Sequence, residues 1–143
     1  MKKYSVLLII LLTGCVTNMD FSKTCNYEYK TTHLNDKTSI TVIYDSDDVI
    51  NEAIIVHSYK ALDEDGLKTI SNIKNSIISY NNKYNDEEVF VYVSKDSKYE
   101  YEIKYKLDVQ RLDSSVLKEF KLNKSSIKFF NKMRKENIEC EVN

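Results

Sequence analysis

The chain contains no proline and no tryptophan, and only two of its 143 residues are glycine, Gly14 and Gly66. Phosphate-cradling loops, dinucleotide fingerprints and nucleophile elbows need glycine where backbone approaches a ligand or turns sharply. Gly66 alone lies beyond the first 14 residues, and one glycine builds none of these. An excess of one charge is missing too: 21 basic side chains stand against 22 acidic ones, with no basic arm or block of like charge. A nucleic-acid partner calls for a positive stripe, so none is expected. Lys, Asn, Ile and Tyr fill 57 positions while Gly, Ala, Pro and Trp fill 4, a bias that fits A/T-rich coding better than a selected function.

Long hydrophobic runs are also scarce. The exception is the start, MKKYSVLLIILLTGC, where Lys2 and Lys3 precede an apolar run from Val6 to Leu12. A charged start, a short apolar stretch and small residues at its end make a secretory signal. A spanning helix needs about 20 apolar residues, and Tyr4 to Thr13 is half of that. An ordinary signal peptide carries an A-x-A-like site; here Leu12-Thr13-Gly14-Cys15 resembles the bacterial lipobox, in which the cysteine receives a diacylglyceryl group before cleavage just ahead of it. The expectation is a signal peptide over 1–14, a lipid on Cys15, a tether over 15–23 and a single α+β domain over 24–143, held at the cell membrane and facing away from the cytoplasm. Two acyl chains hold a protein stably, at about 0.8 kcal/mol per buried methylene. Cleavage leaves 129 residues, enough for one core, with 19 basic against 22 acidic groups.

Two further cysteines remain, Cys25 and Cys140. An even pair in an exported chain is a disulfide candidate; two separate buried thiols are the alternative. No C-x-x-C spacing tunes either thiol for exchange.

Strands are predicted over Thr24–Thr32, Thr38–Tyr44 and Val49–Tyr59, with turns at Asn35-Asp36-Lys37 and Asp45–Asp48. Asp63-Glu64-Asp65 opens a helix to about Asn82, with Leu67, Ile70, Ile73, Ile77, Tyr80 and Tyr84 on its apolar face. Glu87–Lys95 reads as the apolar strand beneath it. From Tyr99 to Val109 the odd positions are Tyr, Tyr, Ile, Tyr, Leu and Val while the even ones are charged or polar, a strict period of two. Short helices are predicted over Ser114–Phe120, capped by Asp113, and Lys124–Glu136, burying Ile127, Phe130 and Met133 and stopping at Asn137. Ile138–Val142 closes the chain as a strand. The fold class is α+β: an antiparallel sheet of about six strands with two main helices on one face. Strand order is not legible. If the first and last strands are neighbours, Cys25 and Cys140 face each other.

Thr24-Cys25 on a first strand soon after the lipobox, Ser58-Tyr59-Lys60 before an acidic helix start, the alternating strand, and Ser126-Ile127-Lys128 leading a helix into a last strand carry a resemblance. The whole resembles the YehR-like small bacterial lipoproteins, built on a domain of unknown function. The resemblance covers nearly all of the mature chain, rests on order and length more than on a strict motif, and implies an α+β domain on the envelope; it points to no particular activity, since none is established for the family.

Each candidate for chemistry has a plainer reading. Ser115-x-x-Lys118 and Ser125-x-x-Lys128 match the serine–lysine pair of penicillin-recognising enzymes, but the downstream K-T-G is absent. His33 and His57 lack a sequence-evident third ligand, so neither a metal nor a base role is expected. Counting from Asp45, the calcium-loop positions 5, 6 and 12 hold Val49, Ile50 and Val56, so a turn is expected. Tyr99, Tyr101 and Tyr105 on one strand face form a possible binding platform, although Ile103, Leu107 and Val109 beside them favour core.

No catalytic residue, metal or cofactor is expected. The expected function is a monomeric, non-catalytic envelope lipoprotein that binds a small-molecule ligand or an envelope protein, anchored to the membrane through diacylglyceryl on Cys15; a cell-wall-modifying hydrolase is the alternative. Cys15→Ala should leave an uncleaved, larger precursor without lipid. Metabolic labelling with a fatty-acid analogue checks it, and a labelled or normally processed variant would overturn the lipobox reading.

Overall fold

The protein is described here by a computed structural model covering residues 19–84 and 87–143, without the side chains of 78–84. The signal segment, Cys15 and the Tyr80 and Tyr84 side chains lie outside the described residues. Strands β1 (Phe21–Lys30), β2 (Leu34–Tyr44) and β3 (Ile50–Ala61) form a meander. Helix α1 (Glu64–Tyr84) follows, then β4 (Val89–Asp96), β5 (Glu100–Asp108), α2 (Ser114–Glu119), α3 (Ser126–Lys135) and β6 (Cys140–Val142). The six strands make one antiparallel sheet in the order β4-β5-β3-β2-β1-β6.

β5 obeys the period of two: Tyr101, Ile103, Tyr105 and Leu107 are buried, and the residues between them are half-buried or exposed. Its register on β3, with Ile55 opposite Tyr105 and Ala53 opposite Leu107, extends the dry row across the sheet. Ile40 and Val42 of β2 and Cys25 of β1 continue it. Ile70 and Ile77 of α1 and Phe129 and Met133 of α3 join these residues in one buried cluster.

Several boundaries correct the expectations. The first hairpin turns at Thr31–His33, so Asn35, Asp36 and Lys37 lie within β2. The Thr31 hydroxyl accepts from the amides of His33 (3.2 Å) and Leu34 (2.9 Å), closing the turn earlier than the Asn-Asp-Lys composition suggests. Residues 21–23, expected as tether, belong to β1, where Lys23 pairs with Val42 on one side and Val142 on the other. β4 is an edge strand and only part of the floor for α1: Val89 is buried and Val91 half-buried in the cluster that Ile70, Ile73 and Ile77 join, Val93 is exposed, and Phe90 and Tyr92 lie on the other face opposite Lys106 and Lys104.

Hydroxyls, carboxylates and left-handed residues make the turns. Asp63 caps α1 by accepting from the Gly66 amide at 2.9 Å. A Cβ on Gly66 would lie 2.1 Å from the His33 carbonyl oxygen, so the close approach of the first hairpin to α1 requires this glycine. Asp113 caps α2 as expected, accepting from Ser115 N (2.8 Å) and Val116 N (3.0 Å). Asn137, at φ 58°, is the left-handed stop after α3, and Ile138 N donates back to the Met133 carbonyl at 2.9 Å.

The strongest departure concerns α3. Asp48, in the turn between β2 and β3 at φ 69°, accepts from the Ser125 and Ser126 hydroxyls and from the Ile127 amide at 2.6 Å. This pins the start of α3 and sets its rotation. Phe129 and Met133 turn inward, while Ile127, expected in the core, is 61% exposed. Phe130 is half-buried, with its ring 5.5 Å from that of Tyr44.

β6 pairs with β1, placing Cys25 directly opposite Cys140. A disulfide joins them, with Cα atoms 4.0 Å apart and 115 residues of separation. Replacing Phe129 by Ala should cost about 3–5 kcal/mol, the usual range for a buried aromatic. Ile127→Ala should stay within about 0.5 kcal/mol. Urea denaturation of both variants measures the difference, and similar losses would contradict this rotation of α3.

Candidate functional site

The alternation that buries the odd row of β5 lines up its even row, Glu100, Glu102, Lys104 and Lys106, on the other face. Register then decides its neighbours: Glu102 lies opposite Ser58, and Lys104 opposite Val56. On the next strands Ser58 faces Lys37, which faces Glu28, and Val56 faces Ser39, which faces Asn26. The middle of this face is small side chains flanked by charged ones. It forms a groove of about 660 Å³ between Glu28 and Lys37 on one side and Glu102 and Lys104 on the other. A second hollow of about 320 Å³, towards Lys60 and Glu100, shares Lys37, Ser58 and Glu102 with it.

Glu102 is the best-held polar group in the groove. Ser58 Oγ donates to its Oε2 at 2.7 Å and Ser94 Oγ donates to its Oε1. Lys104 Nζ stands 3.7 Å from Oε1. The two hydroxyls, Ser94 first, hold the Glu102 carboxyl below its ordinary pKa. A carboxylate stabilised in this way is a weaker base and activates neither serine. The groove therefore offers a fixed carboxylate, two hydroxyls, an amide and two ammonium groups: a surface for hydrogen-bonding a polar ligand.

On the dry face, His57 Nδ1 lies 2.9 Å from Thr38 Oγ1 and the ring stacks on Tyr59. Burial lowers the His57 pKa. The Tyr59 hydroxyl is pushed above its usual range by burial and then by Asp36. Burial also raises the Asp36 carboxyl, and its Oδ1, like Asn35 Oδ1, is buried without a hydrogen-bond partner among the described residues.

The tyrosine platform is corrected. Tyr101 and Tyr105 are 4% and 6% exposed and belong to the core, Tyr105 meeting Phe120 edge-on at 5.3 Å; only Tyr99, in the turn before β5, is open to solvent. Their residues share the dry parity with Ile103 and Leu107, so no sugar or partner can lie across all three. His33 and His57 are separate, for His33 Nδ1 contacts Asp63 at 2.6 Å. Both Ser-x-x-Lys spacings are helix starts: Ser115 donates to Asp113, and Ser125 caps α3 by accepting from Lys128 N at 3.2 Å. Asp45 closes its own turn, accepting from Asp47 N and Val49 N. Among the described residues no three His, Cys, Asp or Glu side chains come together to hold a metal. Sequence alone gives Glu102 and Ser58 no role in a site: alternation marks each as outward-facing, but only the register makes them neighbours.

No family model matches the chain, and no curated protein matches it. Among solved structures, the chain is similar to the NMR structure of a protein from Streptococcus pneumoniae TIGR4, at 15% identity and a TM-score of 0.57, over 99% of this chain and 96% of that one. At that identity the likeness concerns the fold.

The Asp63 contact raises the pKa of His33, chiefly through its hydrogen bond and then through charge. A raised folded-state pKa contributes stability that is complete below the unfolded value of 6.5 and is lost as pH rises through the folded one. The melting temperature of the native protein should therefore fall between mildly acidic and mildly alkaline pH by more than that of His33→Gln. Parallel melting curves for the two across that window would show that the pair does not couple to folding.

Proposed function

We propose that this chain is a lipid-anchored lipoprotein of the bacterial envelope, related to the YehR-like small lipoproteins, and that it works as a non-catalytic binding module. In this reading Cys15 carries the diacylglyceryl group and the domain faces away from the cytoplasm. The two main helices cover the dry face of the sheet and leave the other face free for a ligand. The observation that carries the binding role is the groove on that free face. Its floor of Ser39, Val56 and Ser58 is low, its walls carry both charges, and the Glu102 carboxylate of one wall is fixed by Ser58 and Ser94. Fixed polar groups around a concavity fix a ligand's orientation and select for its polarity.

The bound species is a polar ligand carrying both hydrogen-bond donors and acceptors, either a small molecule or a polar segment of an envelope protein. Donors meet Glu102 and Glu28; acceptors meet Lys37 and Lys104. Ser58→Arg should fill the floor without disturbing the dry face. Native mass spectrometry of protein released gently from membranes, together with mild cross-linking in those membranes, should find an adduct or cross-linked partner that the variant loses while its melting temperature stays near that of the native protein. Equal capture by both proteins would move the binding site off this groove.

A further inference from the structure

The chain enters the fold at Phe21, and that end of the sheet carries apolar side chains that the core does not use. Met19 is 72% exposed, Phe21 44%, Ile127 61% and Val142 75%. Phe21 and Ile127 line the same shallow notch beside Tyr44. Val142 pairs with Lys23 two residues further along β1, and Asn143 N donates to the Ser22 carbonyl. Three exposed apolar side chains from β1, α3 and β6, together with Met19 two residues before β1, thus lie towards one end. Two of them are held in place. Phe21 is seated against Tyr44, with ring centroids 5.7 Å apart, and Ile127 is turned outward because Asp48 fixes the start of α3.

We propose that this end rests on the lipid bilayer, with Met19, Phe21, Ile127 and Val142 in the boundary between headgroups and acyl chains. The inference rests on the lipid-anchored reading for its geometry. Five residues separate Cys15 from Phe21, so even fully extended chain holds Phe21 within about 22 Å of the anchor. The end bearing the tether is therefore the end nearest the lipid, and tethering turns a weak contact into an intramolecular one. Asp45 and Asp48 line the notch, Asp47 is in the same turn, Asp20 precedes β1 and Glu141 stands beside Val142 in β6, against Lys23 of β1 and Lys124 and Lys128 about the start of α3. With no excess of positive charge there, apolar burial and not attraction to anionic lipid makes the contact.

The absence of tryptophan allows a direct test. The full-length chain carrying Ile127→Trp, or as a second reporter Val142→Trp, is reconstituted into phosphatidylcholine vesicles with brominated acyl chains. A control carries Tyr29→Trp, at the far end of β1, where the native side chain is 68% exposed. Both near-end reporters should lose at least about half of their emission to the bromines while the control keeps its own, with little change on adding anionic lipid or salt. Equal quenching at the two ends, or none at either, would overturn the proposal. Fatty-acid labelling of Cys15 on the same samples separates the two readings. A labelled chain with unquenched near-end reporters ends the bilayer contact and leaves the anchor; an unlabelled chain with quenched ones ends the anchor and leaves the contact.

Discussion

A slip of one residue between β3 and β5 would carry Glu102, Lys104 and Lys106 into the core and put Ile103, Tyr105 and Leu107 in water. Everything else depends on that register. Side chains alternate with a period of two, so the register that buries one row also assembles the opposite one. The core and the groove are two sides of one constraint. Glu102 meets Ser58 for the same reason that Tyr101 meets Tyr59 on the other side. A substitution that loosened the dry row would therefore disturb the polar groove without touching it.

The sheet alone does not fix the chain's second half. α2 and α3 are short, and short isolated helices are marginal in water. Leu117 seats α2 in the core, and three long-range attachments hold α3 and β6. Asp48 binds the start of α3, Phe129 and Met133 enter the core, and the disulfide ties β6 to β1. A disulfide enclosing so long a loop removes much denatured-state freedom, by about 4.7 kcal/mol for a loop of 100 residues in chain-entropy models. That matters in a fold whose last strand has three residues. Without proline, and with one glycine in the described fold, turning falls to Asp48, Lys121 and Asn137 at positive φ and to capping side chains.

How much of this was legible follows from the range of each interaction. β5, α1 and the Asn137 stop were readable because alternation, helical spacing and turn chemistry are local. Composition misplaces the hairpin at Thr31–His33, because Asn35-Asp36-Lys37 has the stronger turn composition while Thr31 acts through a hydroxyl that composition does not weigh. Periodicity misleads about Ile127 for a related reason. In α3, helical spacing fits Ile127–Phe130–Met133 about as well as Ser126–Phe129–Met133, and a carboxylate 79 residues away in sequence selects the second. The pairing of Cys25 with Cys140 was legible as chemistry, but it needed β1 and β6 to be neighbours, which is tertiary information. The groove was the least legible of all, since its residues come from β1, β2, β3 and β5.

The two proposed surfaces bear on each other through the geometry of β1. Phe21 is at its start, Asn26 and Glu28 at the groove wall are five and seven residues along it, and the groove's other walls lie at the same level across the sheet. At about 3.3 Å per residue, the wall stands about 17–23 Å from the Phe21 end. A domain resting on that end holds its strands away from the bilayer and its groove beyond the headgroups, open sideways. If the domain hung from a loose tether instead, the groove would sample every orientation and a ligand arriving from the membrane plane would meet it rarely. On the proposed reading the apolar end and the short tether would do for orientation what the Asp48 clamp does for α3, each removing a rotation that would otherwise blur a surface.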